Sequence, residues 1–229
     1  MSIAIIPARS GSKRIPLKNI REFKGQPMMS WAIQTALESA CFERVIVSTD
    51  DLHIAEIARD SGAETPFARP AALADDHTPT IPVVQHAIEE LALGDEVAVC
   101  CIYPTAPFLR ANDLQSGLDR LRQGDAKYVF PVTRYGFPIQ RSLRRDTQGN
   151  VEMFDPSAFN TRSQDLEEAW HDAGQFYWAL ASTWRTGTPI FQTNAAGIEL
   201  PRYRVQDIDT EEDWARAEIM FDALTKKPH

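Results

Sequence analysis

The sequence predicts an α/β fold built on one mostly parallel sheet, and three observations carry the prediction. Apolar runs at Ile3–Ile6, Val45–Val47, Val97–Ile102 and Tyr128–Val132 have the length of buried strands. Helical patterns lie between them, with Met29, Ile33, Leu37 and Ala40 on one face and Ile81, Val84, Ile88 and Leu91 on another. Strand alternating with helix implies right-handed crossovers, and so parallel neighbours. Such sheets bind ligands beyond the carboxyl ends of their strands, where the loops after Ile6, Val47 and Ile102 carry polar residues.

The first strand runs straight into the most informative loop, Pro7-Ala8-Arg9-Ser10-Gly11-Ser12-Lys13-Arg14-Ile15-Pro16-Leu17-Lys18-Asn19. Four cations stand there among small hydroxyl and glycine residues. Small residues let backbone N–H groups approach phosphate oxygens, while arginine offers a two-pronged donor and lysine a mobile charge. That combination suits a nucleoside triphosphate. Gly11 has no glycine five residues before it and no G-x-G-x-x-G around it, so P-loop ATPases and Rossmann dehydrogenases are excluded.

Size and charge narrow the class further. A chain of 229 residues, 43% of them hydrophobic, supports one domain over residues 1–229. A formal charge of −8 argues against nucleic acid as partner and makes the basic loop a local exception, suited to a small anion. Cys41, Cys100 and Cys101 are odd in number and lack C-x-x-C spacing, which fits a reducing cytoplasm and neither a disulfide framework nor a zinc site. No stretch approaches the roughly 20 apolar residues of a membrane span, so no membrane association is expected.

Later elements change character. From about residue 134 to 172 the pattern shortens into alternating segments around a turn at Asp146-Thr147-Gln148-Gly149-Asn150, which reads as an antiparallel excursion. By itself it could be a plain surface hairpin. A last helix begins at Thr210-Glu211-Glu212-Asp213, a near capping box with Asp in the Glu/Gln place, and buries Trp214, Ala217, Phe221 and Leu224.

Four further segments carry candidate chemistry. Asp207 and Asp209 flank Ile208, and on extended backbone both carboxylates point to one face, a geometry for holding Mg²⁺ against phosphate oxygens. Alone, such a pair is more often a solvated surface feature; beside the cations of the first loop the metal reading prevails. Arg69-Pro70-Ala71-Ala72-Leu73-Ala74-Asp75-Asp76-His77-Thr78-Pro79-Thr80 brings an arginine and hydroxyls together, with His77 read as a loop or cap residue. Tyr103-Pro104-Thr105-Ala106-Pro107-Phe108-Leu109-Arg110 follows a strand end. Trp170-His171-Asp172-Ala173-Gly174-Gln175-Phe176-Tyr177-Trp178 is polar as well as aromatic, though Phe176 and Trp178 also suit a core.

Taken in order, these segments resemble the CMP-sialate synthetase family, from Ile3 through Trp214. The first loop matches its Ala-Arg-x-Gly-Ser-Lys followed by Lys-Asn, Arg69 opens a similar R-P-x-x-L-A-x-D, and Asp207-x-Asp209 stands at its metal pair. Tyr103 and Ala106 replace the Gln and Ser of its Q-P-T-S-P-x-R pattern. Together with His171-Asp172-Ala173-Gly174-Gln175-Phe176-Tyr177-Trp178, they look like the branch that uses pseudaminic acid. The resemblance implies a Rossmann-like sheet of the nucleotide-diphospho-sugar transferase type, with the excursion as a dimerisation arm and the chain as a homodimer.

It also implies an activity, the joining of CTP to a nine-carbon acidic sugar with release of pyrophosphate, used for surface glycans or flagellin. Arg9, Lys13 and Lys18 would hold the triphosphate, with Pro7, Ala8, Ser12, Asn19, Arg69, Thr78 and Thr80 completing the nucleotide site. Tyr103, Thr105, Arg162, Gln175 and Tyr177 would contact the sugar, Arg162 by pairing with its carboxylate. Asp207 and Asp209 would hold Mg²⁺. Sialic or legionaminic acid is the alternative sugar. A D-x-D glycosyltransferase would not need the triphosphate grip, and a non-catalytic nucleotide sensor would be expected to have lost either the metal carboxylates or the leaving-group cations.

Overall fold

The computed structural model of the chain describes residues 1–75, 78–191 and 194–225. In order its elements are β1 (Ser2–Pro7), β2 (Glu22–Phe23), β3 (Gln26–Pro27), α1 (Met28–Glu38), β4 (Arg44–Ser48), α2 (Leu52–Asp60), α3 (Thr80–Glu90) and β5 (Ala98–Ile102). There follow α4 (Ala111–Arg122), β6 (Tyr128–Arg134), β7 (Leu143–Arg145), β8 (Val151–Met153), β9 (Trp170–Asp172), β10 (Phe176–Leu180), α5 (Ala181–Arg185), β11 (Ala195–Glu199) and α6 (Glu211–Thr225).

The main sheet runs β11-β6-β10-β5-β1-β4, with β9 paired to β6. Pairs β1–β4, β1–β5 and β6–β11 are parallel, whereas β10 lies antiparallel between β5 and β6. Both faces of β1 are covered, which is why its sequence is continuously apolar. Ala4 and Ile6 pack under α1, α2 and α4; Ile3 and Ile5 face α3 and α5. Gly117 brings α4 close onto β10, since a Cβ there would lie 2.7 Å from Trp178 Cδ1.

Two parts of the expected α1 stripe are corrected. Leu37 is exposed, and Ala40 falls beyond the helix end with φ +53°; the buried face is instead Met28, Met29, Ala32, Ile33 and Ala36. Ala36 of the last turn is fully buried in the main core, so Leu37, one residue further round the helix, points off that face. The expected hairpin forms from β7 and β8, closed by Asp146, whose side chain accepts from the backbone N–H groups of Gln148 and Asn150. Tyr135, Phe137, Ile139, Leu143, Val151, Phe154 and Phe159 leave this excursion with a heavily exposed apolar surface.

A third, smaller core positions the site. Ile15 of the basic loop, Ile208 between the two aspartates, and Phe23, Met28, Phe108, Trp214 and Ala217 pack into one cluster. It ties the loop after β1 to the segment before α6. The capping box forms as expected: Asp213 Oδ2 accepts from Thr210 N–H, and Thr210 Oγ1 accepts from Asp213 N–H. Cys100 and Cys101 are fully buried and Cys41 partly so, all three unpaired.

Candidate active site

Beyond the carboxyl end of β1 lies a cleft of about 620 Å³, and the basic loop forms one wall of it with Pro7, Arg9, Ser12, Lys13, Arg14, Lys18 and Asn19. The loop is held from behind. Buried Asn19 donates Nδ2–H to the Arg9 carbonyl at 2.8 Å, and Leu17 turns the chain at φ +53° to bring Lys18 and Asn19 inward. Lys18 Nζ donates to the Ile208 carbonyl at 2.7 Å and pairs with Asp209 at 3.1 Å, while Arg14 reaches the other Asp209 oxygen at 2.8 Å.

Arg69 forms the floor. Its Nη2 donates to the carbonyls of Ala8 and Ser48, each at 2.6 Å, and so staples the ends of β1 and β4 together. Burial holds its pKa below the ordinary arginine value. Its guanidinium is thus engaged with backbone, and Ala8, expected at the nucleotide, is buried and serves through its backbone. The opposite wall carries Asp75, Thr78, Thr80, Tyr103 and Thr105. Thr78 is fixed by Asp75, which accepts from both its N–H and its hydroxyl. Asp76 and His77 of this segment lie outside the described residues.

A second cleft, of about 700 Å³, adjoins the first through Pro79, Thr80 and Tyr103, which line both. The Tyr103 and Thr80 hydroxyls stand 3.0 Å apart, and the Tyr103 ring lies 5.2 Å from that of Tyr177. Its walls add apolar Ile190 and Phe191 to His171, Asp172, Asp207 and Arg216. Tyr177 donates its hydroxyl to Asp172, and burial foremost, with Tyr103 and Asp172 following, holds the phenol well above its ordinary pKa.

The two aspartates therefore divide, Asp209 on the first cleft and Asp207 on the second. Loss of hydration and then the charge of Asp209 hold Asp207 above the usual carboxylate range. No group of three or more His, Cys, Asp or Glu among the described residues forms an all-protein metal cage. Two carboxylates do fit Mg²⁺, which keeps several waters and shares its shell with phosphate oxygens; their mutual repulsion is what a divalent cation would relieve.

The comparisons with known proteins agree with this geometry. A family model described as Cytidylyltransferase matches residues 3–222. The chain belongs to the cytidylyltransferase family. Pseudaminic acid cytidylyltransferase of Campylobacter jejuni is 41% identical to it over 222 residues, 96% of either chain. CMP-N,N'-diacetyllegionaminic acid synthase of Legionella pneumophila is 30% identical over 229 residues, again covering 96% of each. A solved structure of CMP:2-keto-3-deoxy-manno-octonic acid synthetase complexed with CTP aligns with TM-score 0.72 over 97% of this chain and 99% of its own, at 16% identity, which shows a shared fold.

Within this cytidylyltransferase, thirteen of the expected site residues gather on the first cleft: Pro7, Arg9, Ser12, Lys13, Lys18, Asn19, Arg69, Thr78, Thr80, Tyr103, Thr105 and Asp209 on its walls, with Ala8 behind them. Tyr177 and Asp207 line the second. Two of the residues expected at the sugar lie off both walls. Gln175, just before β10, is buried away from both walls, its Nε2 donating to the Arg204 carbonyl and its backbone carbonyl accepting from Tyr103 N–H. Arg162 sits exposed on the excursion, which carries it outside both walls of its own chain. Asp75, Phe191 and Arg216 line the walls without a sequence signal of their own, and Arg14 stands out in sequence only as part of the loop's charge. The pairing of Arg14 with Asp209 was foreshadowed by its place among the loop cations; Arg216 had no motif to mark it.

Proposed function

We propose that the protein is a pseudaminic acid cytidylyltransferase, transferring CMP from CTP to the anomeric hydroxyl of the sugar and releasing pyrophosphate. The observation that carries the reading is full-length similarity to the Campylobacter jejuni enzyme, 41% identity over 96% of both chains. The geometry supports it, since a cation-lined cleft opens directly into a second one walled by aromatic, apolar and acidic groups.

In this reading Arg9, Lys13 and Lys18 hold the triphosphate and meet the charge that develops on the leaving pyrophosphate as the sugar oxygen attacks the α-phosphorus. Pro7, Ser12 and Asn19 keep the loop in register. Thr78 and Thr80 flank the nucleoside above the Arg69 staple. Asp207 and Asp209 would hold Mg²⁺, which supplies charge neutralisation at phosphate oxygens. Tyr103, Thr105 and Tyr177 shape the way into the sugar cleft, and Gln175 supports Tyr103 from behind.

The exposed apolar excursion suits a dimerisation arm, and a homodimer working in the cytoplasm completes the proposal. Pyrophosphate release with CTP, UTP and ATP, each against pseudaminic, legionaminic and N-acetylneuraminic acids, tests it. Turnover is expected with CTP and pseudaminic acid foremost. Equal use of UTP would remove the cytidine assignment, and equal kcat/KM for N-acetylneuraminic acid would remove the sugar assignment alone.

A further inference from the structure

We propose that Arg216, on α6, is the specificity residue that receives the carboxylate of the acidic sugar in the second cleft. The inference rests on the nonulosonic acid reading above. In such a 2-keto acid the carboxylate is borne by the anomeric carbon itself, so it enters beside the very hydroxyl that reacts. The wall it meets carries Asp172 as well as Asp207, and even with Asp207 given to Mg²⁺ a carboxylate entering beside Asp172 calls for a cation of its own.

The described residues offer few cations for that duty. Arg9, Lys13, Arg14 and Lys18 line the first cleft, where Asp209 takes Arg14 and Lys18. Arg204 is buried in an ion pair with Asp113 at 2.6 Å. Arg134 is drawn away by Glu168 at 2.7 Å and lies over Trp170. Among the described residues Arg216 is the arginine on the second cleft's own wall, where, with His171, it also borders a neighbouring hollow lined by Arg134 and Arg202.

Its position relative to the reacting end is fixed by backbone. Asp213, one turn earlier on α6, accepts from Asp209 N–H at 3.2 Å, Thr210 N–H at 2.9 Å and Gln206 Nε2–H at 3.1 Å. Trp214 and Ala217 on either side of Arg216 are buried in the cluster that holds Ile208. Asp207 and Arg216 are thereby indexed to one another through a rigid helix start, which is how a specificity contact keeps its geometry. A guanidinium there can take both carboxylate oxygens at once and orient the neighbouring hydroxyl toward the first cleft.

Steady-state kinetics of Arg216→Gln and Arg216→Lys with pseudaminic acid and with its C1 carboxamide test this, with CTP affinity measured by calorimetry and folding by thermal unfolding. Arg216→Gln should raise the KM for the acid by about thirtyfold or more, the scale of a lost charged hydrogen bond, with CTP affinity unchanged. The unaltered enzyme should strongly prefer the acid to the carboxamide, Arg216→Gln should lose most of that preference, and Arg216→Lys should keep part of it. An unchanged acid-to-carboxamide ratio in Arg216→Gln would overturn the assignment while leaving the cytidylyltransferase reading intact. No turnover of any nonulosonic acid by the unaltered enzyme would remove the substrate reading and this inference with it.

Discussion

The two clefts share a wall at Thr80 and Tyr103 yet differ in almost everything else. The first is crowded with cations from one loop, Arg9, Lys13, Arg14 and Lys18, whereas the second holds two acids, a histidine and one arginine among apolar groups. A polyanion needs many charges of one sign. A sugar with one carboxylate needs a single cation and dry walls against which its deoxygenated parts can lie. The difference teaches that variants on one side should alter the nucleotide and the chemistry, and on the other side, the proposed metal ligand Asp207 apart, only the sugar.

The sharpest test of this division is Asp209→Ala, which should cost at least about a hundredfold in turnover at saturating Mg²⁺, since it removes a proposed metal ligand and frees Lys18 and Arg14 together. Far-UV circular dichroism should be unchanged. A variant that kept most of its rate would take Asp209 out of the site. Next comes Arg9→Ala, for which stopped assays of pyrophosphate release should find kcat lowered on the order of a hundredfold, the value of one preorganised charge contact. A rise in CTP KM with kcat intact would reduce Arg9 to uniform binding.

Arg69→Met should act through stability. The carbonyls of Ala8 and Ser48 would lose their buried donor, at a cost of about 2 kcal/mol in urea unfolding, and the cleft floor would loosen with them. On the other side of the boundary, Phe191→Ala should raise the sugar KM by about tenfold and leave that of CTP alone, through lost apolar contact. Tyr103→Phe is the smallest expected effect, about fivefold shared between both substrates, because its hydroxyl contact with Thr80 lies on the common wall. If Phe191→Ala moved the CTP KM as well, the two clefts would be one site.

Local chemistry made much of this arrangement readable from sequence. The apolar run before Pro7, the cation spacing behind it and the Thr210–Asp213 box all act within a few residues, and each forms where it was expected. What escaped depends on distant partners. Phe176–Leu180 is apolar enough for a strand, but nothing local places it antiparallel between β5 and β6. Arg69 reads as a ligand residue and does line the cleft, but its stapling of the Ala8 and Ser48 carbonyls, far apart in sequence, shows only in the fold. Gln175 is drawn inward by the Arg204 carbonyl, a partner 29 residues away that no local pattern announces, while Tyr177 reaches the cleft. Arg216 belongs to no motif, and only the packing of α6 brings it to a wall.

The three thiols give the molecule a convenient handle. Cys100 and Cys101 are fully enclosed, and burial pushes both far above the ordinary thiol pKa, which leaves them inert to alkylation in the folded protein. Cys41 is partly open, and its backbone carbonyl accepts the Ser2 hydroxyl at the amino end of β1. Pro7 on the cleft wall lies at the other end of that strand, roughly 17 Å away at 3.3 Å per residue. A dye attached at Cys41 would therefore mark a single position, on the edge of the sheet opposite the chemistry, and could report association of two chains while both substrates come and go unhindered.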